Sequence, residues 1–163
     1  MDQEPYERAA VIAEGLSWIG TLFHHQGRVK IKRAPDGTVI DRGGADCAYS
    51  LLEIYHKALP HRVTNMDFGH YAQTWSMTKA GALSERYLST VLGIPGVKET
   101  STPKPGDMVL FRVGLAFAHG AIIIEPGWPH IIHANGETRS FMRDVGDQGR
   151  LARQQKRFFT FWE

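Results

Sequence analysis

Apolar positions near the start of the chain recur at helical spacing. Ala9, Val11, Ile12, Leu16, Ile19 and the pair Leu22–Phe23 fall on one stripe, as in a helix laid against a core. Pro5 suits its first turn, where a missing N–H leaves no helical bond unmade. The spacing predicts a helix from Pro5 to about His24. From Gln26 to Gly44 the period is lost, and Pro35-Asp36-Gly37 is a turn signal, so a loop is expected. A second helix is predicted from Asp46 to about Leu59, stopped by Pro60. Residues 68–93 read as helical in parts, interrupted at Gly81, with Ser84, Arg86 and Tyr87 opening the last helix. From Asp107 onward the pattern changes to apolar runs of strand length, at 107–112, 117–124, 130–134, 138–143 and 156–162. Helices first and antiparallel strands later is an α+β order. Nothing repeats, and residues 1–163 read as a single domain.

Composition narrows the classes. A chain of 163 residues is long enough for one core. Hydrophobic content of 42% and charged content of 22% are those of a globular protein, which argues against a disordered tail or a coiled coil. A net charge of +2 does not suggest a nucleic-acid partner. The basic runs Arg28–Arg33 and Arg150–Arg157 read as solvated faces, although the first is suited to an anionic polymer. No run approaches the length of a membrane span, so insertion is not expected. Met1-Asp2-Gln3-Glu4-Pro5 lacks the basic and apolar regions of a secretion signal, so synthesis in the cytoplasm without one is expected.

The chemistry concentrates on Cys47, the single cysteine, in Gly43-Gly44-Ala45-Asp46-Cys47 at the predicted helix start. Alone it forms no intrachain disulfide and no thiolate zinc site. A thiol there faces unpaired N–H groups and the positive end of the helix dipole, both of which favour thiolate. Its position leaves two readings open, a small buried hydrophobe or a nucleophile. Asp46 is the expected N-cap, its carboxylate committed to backbone donors. Among eight histidines, His119 lies inside an apolar strand run, and His133 lies in a short strand before Asn135-Gly136. Glu125-Pro126-Gly127-Trp128-Pro129 between them makes a hairpin, which can set the two rings side by side. His119 is then a candidate base and His133 the residue that orients it. His130 and His133 fall on opposite faces of a strand, poor geometry for one metal, and no H-E-x-x-H or glycine-rich phosphate loop is present. Trp75, Trp128 and Trp162 read as core or rim packing, with Trp128 placed to line a groove between the histidine strands.

Four segments in this order resemble the NlpC family of papain-like cysteine peptidases: Asp46-Cys47, Pro105-Gly106-Asp107 before an apolar strand, His119-Gly120-Ala121-Ile122, and Ile132-His133-Ala134. The upstream stretch from Trp18 to Arg28 resembles the phage-tail and gene-transfer-agent branch. The resemblance implies a papain-like α+β fold, with the nucleophile at a helix start packed on an antiparallel sheet. It implies Cys47 as nucleophile, His119 as base and His133 as the third residue, with neither cofactor nor metal. It further implies a peptidoglycan endopeptidase acting between D-γ-glutamyl and diaminopimelate, with phage tail proteins as partners and a virion or tail as the route to the wall. The chain departs from the family in two places. Ala48-Tyr49 replaces the usual Ser-Gly, so Tyr49 either faces the core or narrows the groove. Phe23 stands where relatives often carry a tyrosine whose hydroxyl helps the site. The Cys47 backbone N–H is the expected oxyanion donor, with Gln26 as a side-chain candidate. The competing readings are a non-catalytic tail-tip component of the same fold, a metal-dependent amidase built on the histidines, and a thiol acyltransferase.

Overall fold

The computed structural model describes residues 2–64 and 67–162. Helix α1 spans Glu4–Leu16 and α2 spans Cys47–Ala58. The stripe predicted to continue to His24 leaves the helix after Leu16, at the Ser17 cap, and Gly20, with a left-handed φ of +93°, then turns the chain to extended backbone. Leu22 then bridges to Ser140 and Phe23 to Ala45. The expected loop carries short strands: β1 (Arg28–Val29) pairs with β4 (Gly44–Ala45), and β2 (Lys32–Arg33) pairs with β3 (Val39–Asp41). A 3-10 turn at Trp75–Met77 and two short helices, α3 (Lys79–Ala82) and α4 (Arg86–Leu92), fill the predicted broken-helix region. Glu85, not Ser84, occupies the N-cap of α4.

The remaining strands form one antiparallel sheet. β5 (Lys98–Thr100), β6 (Met108–Val113), β7 (Ala116–Ile123), β8 (His130–Asn135), β9 (Ser140–Val145) and β10 (Lys156–Thr160) lie in the order β5-β10-β6-β7-β8-β9. β9 starts two residues later than predicted, because Asn135 Oδ1 accepts from the N–H groups of Glu137 and Thr138 and extends the turn. β5 and the one-turn helix α5 (Gly149–Ala152) carry no apolar period and were not predicted.

The central strands bury both faces. Met108, Leu110, Ile122 and Ile132 join the main core with Val11, Leu52 and Tyr55 from the helices. Val109, Phe111, Ala121, Ile123 and Ile131 alternate with them and form a second cluster, covered by Trp128, Leu151 and Phe158. The helices pack on the sheet with the start of α2 close to β7, so the first residue of α2 sits beside Ala118 and Gly120.

One ionic network fastens α1 to the rest. Glu7 is buried and accepts hydrogen bonds from Arg62 (2.9 Å), His61 (2.9 Å) and the Trp162 indole (2.6 Å). Burial raises its pKa, but these donors outweigh it and hold the carboxyl below the usual glutamate range. A depressed carboxyl contributes stability above its unfolded pKa and loses it as pH falls through the folded value. Glu7→Gln is therefore expected to cost about 1–3 kcal/mol at neutral pH. The gap from wild type should narrow as pH drops below about 4, near the ordinary glutamate value. Thermal melts of both proteins across that range check it, and a gap that widens in acid would contradict it.

Candidate active site

Cys47 is the first residue of α2, and Asp46 before it is the N-cap. Asp46 Oδ1 accepts from Ala48 N (3.1 Å) and Tyr49 N (2.8 Å), and Oδ2 accepts from Gln26 N (2.8 Å) and from the Tyr71 hydroxyl. Below Cys47, the Tyr87 hydroxyl donates to the Cys47 carbonyl at 2.9 Å. That hydroxyl reaches it because residue 120 is glycine; any Cβ there would collide with the Tyr87 ring and oxygen.

The histidines come from the sheet. β7 and β8 pair Ile122 with Ile132 and Ile123 with Ile131. Continued one step, that register sets His133 opposite Ala121, with His119 two residues away on the same face. His119 Nε2 meets His133 Nδ1 at 2.7 Å, with ring centroids 4.9 Å apart. His133 Nε2 meets Asp144 Oδ2 at 3.0 Å. A bulge in the β6–β7 ladder beside Phe111 leaves Ala118 outside the pairing, and the Cys47 thiol donates to the Ala118 carbonyl at 3.5 Å. Cys47, His119, His133 and Asp144 all line one cavity of about 640 Å³. Phe23, Phe68, Tyr71 and Trp75 also line it, as do Asn135, Glu137, Gln148 and Arg150.

Electrostatically the thiol and its neighbour are both held neutral. Burial, and then the Asp46 carboxylate, push the Cys47 thiol up to about 12, against the opposing effect of the Gly120, Cys47 and Ala48 N–H groups. Burial, with smaller contributions from His133 and Arg150, pushes His119 down to about 3. Burial lowers His133 as well, opposed by Asp144. Desolvation and the adjacent carboxylate thus outweigh the backbone donors that the helix start supplies.

Two residues expected at the groove, Tyr49 and Trp128, and the side-chain oxyanion candidate Gln26 are engaged elsewhere. Tyr49 is buried in the core and its hydroxyl donates to Asp67 Oδ1 at 2.7 Å. Trp128 packs on Phe111 and Phe158 in the second cluster, away from the cavity wall, because its ring fills the space over Gly146. The Gln26 side chain donates to the Tyr71 carbonyl at 3.0 Å and is spent on that loop. Phe23 and Asp46 do line the cavity. His130 is exposed on the opposite side of β8 from the buried His133. Among the described residues, no three His, Cys, Asp or Glu side chains are grouped to hold a metal ion.

Tyr71 and Asp144 are the residues that sequence reasoning missed. Tyr71 brings a hydroxyl to the Asp46–Cys47 end from a loop without periodicity, where Phe23 has none. Asp144 fell one residue past the predicted end of its strand.

These features define an α+β protein of the papain-like NlpC/p60 fold, its N-terminal helices packed on an antiparallel sheet. Among solved structures, the NlpC/p60 domain of the peptidoglycan hydrolase SagA is 20% identical, with a TM-score of 0.54 over 92% of this chain and 96% of that one. The peptidoglycan hydrolase RipB of Mycobacterium tuberculosis is 13% identical, with a TM-score of 0.60 over 99% of this chain and 67% of that one. A p60 domain of an M. avium subspecies paratuberculosis antigen is 12% identical, with a TM-score of 0.59 over 99% of both chains. No protein-family model matches the chain. No curated protein matches it either.

A thiol held near 12 and an imidazole held near 3 predict a specific pH profile. Alkylation of Cys47 by iodoacetamide in the resting protein should rise about tenfold per pH unit from pH 6 to about pH 10, following the thiolate fraction. A plateau already reached below pH 7 would mean a standing thiolate–imidazolium pair and contradict this.

Proposed function

We propose that this protein is a cysteine peptidase of the bacterial cell wall, cleaving an amide in the peptidoglycan stem peptide. The observation that carries the reading is the meeting, in one cavity, of a helix-start thiol with a strand-borne histidine pair. The shared fold with domains described as peptidoglycan hydrolases supports the substrate class. The motif order around Cys47, His119 and His133 supports the D-γ-glutamyl–diaminopimelate bond as the target. The Trp18–Arg28 segment supports a tail-associated enzyme that reaches the wall in a virion, with phage tail proteins as partners.

In this reading His119 Nε2 is occupied by His133, so Nδ1 takes the proton of the Cys47 thiol as sulfur attacks the amide carbon. The carbon–sulfur bond forms and the carbonyl becomes an oxyanion, with the Cys47 N–H as its donor. The carbon–nitrogen bond then breaks, and the leaving amine takes the proton from His119. Water attacks the thioester, giving one proton to His119, and the carbon–sulfur bond breaks. That proton returns to sulfur, leaving a carboxylic acid and the resting neutral pair. Because the resting pair is uncharged, the proton moves with attack, and His119 acts as a general base; such a group contributes about a hundred- to ten-thousand-fold in rate. The thiol must first turn from the Ala118 carbonyl to the ring.

One observation favours a second reading. The thiol in its resting bond to Ala118 is neutral and half-buried, as it would be in a tail-tip component that keeps the fold without the chemistry.

The test is mass spectrometry of muropeptides after incubation with purified protein. Cleaved stem peptides are expected with wild type and with wild type in EDTA. Cys47→Ala should abolish cleavage while its melting temperature stays within a few degrees of wild type. His119→Ala should cost nearly as much, since nucleophile and base act as a unit, whereas His133→Asn should retain a measurable rate through its amide oxygen. No cleavage of any wall preparation supports the non-catalytic reading. Loss of activity in EDTA with recovery in zinc overturns the thiol mechanism.

A further inference from the structure

We propose that Asp144 is a positioning residue that fixes the proton arrangement of both histidines, and thereby decides whether His119 presents a lone pair or an N–H to the thiol. An ionised carboxylate only accepts hydrogen bonds. Asp144 uses both oxygens in that way: Oδ1 accepts from Val145 N at 2.8 Å, and Oδ2 faces His133 Nε2 at 3.0 Å. The proton of His133 is therefore on Nε2. In the neutral ring Nδ1 then has none, so it accepts across the 2.7 Å contact from His119 Nε2. The proton of neutral His119 is consumed in that bond, and its Nδ1 is left as a bare lone pair. Each link follows from the one before, and the chain starts at the carboxylate. Without an obligate acceptor at its far end, the sequence of donors can run in reverse. His133 Nδ1–H would then donate to His119 Nε2, and His119 would carry its proton on Nδ1, where it cannot take one from sulfur.

His133 is enclosed and His119 half-buried, so water competes poorly for the inner link of the relay. Asp144 itself is one-third exposed, so its contribution is to direction more than to stability. His133 alone is insufficient as an orienting residue, because a neutral imidazole donates or accepts equally well at either nitrogen.

The decisive variant is Asp144→Asn, nearly identical in shape. Its amide has one acceptor oxygen for the two donors that Asp144 serves. Keeping the local bond to Val145 N turns the NH2 toward His133 Nε2 and reverses the relay. Two measurements are made on full-length protein, each variant first checked by circular dichroism. The first is 15N imidazole NMR at neutral pH, which reports the protonated nitrogen of each ring and needs no substrate. The second is kcat and KM on purified muropeptides. Wild type is expected to show both rings protonated at Nε2. Asp144→Asn is expected to show Nδ1 protonation on both, with kcat lower by about a hundred-fold and KM nearly unchanged. Asp144→Glu, which keeps two acceptor oxygens, should restore the wild-type protonation pattern and much of the rate. Wild-type spectra in Asp144→Asn overturn the proposal, as does a reversed relay without loss of turnover. The rate rests on the thiol-peptidase reading, whereas the NMR does not. A wild type that cleaves nothing but shows the relay change in Asp144→Asn means the functional reading fails and the positioning role stands.

Discussion

Three separate segments converge on the two oxygens of Asp46. They cap the start of α2 through Ala48 and Tyr49, hold the Gln26 backbone, and accept the hydroxyl of Tyr71. Hydrogen bonds to a charged acceptor are worth about 1.5–3 kcal/mol each, so this carboxylate anchors the neighbourhood of the thiol. Tyr71 forms one cavity wall because Asp46 and Gln26 hold it there. Cys47 has a fixed place because its helix begins at that cap and its carbonyl is caught from below by Tyr87. The same charge has a chemical cost: lying beside the sulfur, it adds to burial in disfavouring thiolate.

That cost gives the site its character. Many activated thiols rely on a permanent ion pair, but here burial keeps sulfur protonated and the His119 ring neutral. Charge then develops only as a bond forms, in a cavity where the polar side chains are already fixed by the sheet. The sheet supplies that fixity through register. The Ile122–Ile132 pairing brings His119 and His133 onto one face, and the turn at Asn135 delays β9 just enough to carry Asp144 to the far side of His133.

Much of this was legible in the residues. The α+β order, the placement of Cys47 at a helix start behind an Asp46 cap, and the hairpin that sets His119 beside His133 follow from local pattern and short motifs. What escaped depends on long-range geometry. Nothing in Leu22 or Phe23 shows that the apolar stripe leaves its helix after Leu16, because the strands that receive them lie more than twenty residues away. Tyr49 and Trp128 look alike as aromatic residues beside catalytic candidates, yet both turn to packing, and Trp75 takes the cavity wall instead. A two-residue error in the placement of β9, expected to end at 143 and ending at Val145, was enough to leave Asp144 outside its strand. Tyr71 gave no signal, since its partners are a cap and a glutamine 25 and 45 residues before it.

The central claim is that Cys47 itself bonds to the acyl half of the substrate. The direct measurement is intact-protein mass spectrometry on samples quenched in acid within the first turnover on a purified muropeptide, followed by peptide mapping. The account predicts a transient adduct with the mass of the acyl fragment, on the peptide containing Cys47 and released by hydroxylamine as a thioester should be. Cleavage that proceeds with Cys47 never modified, or with the adduct on another residue, would contradict it.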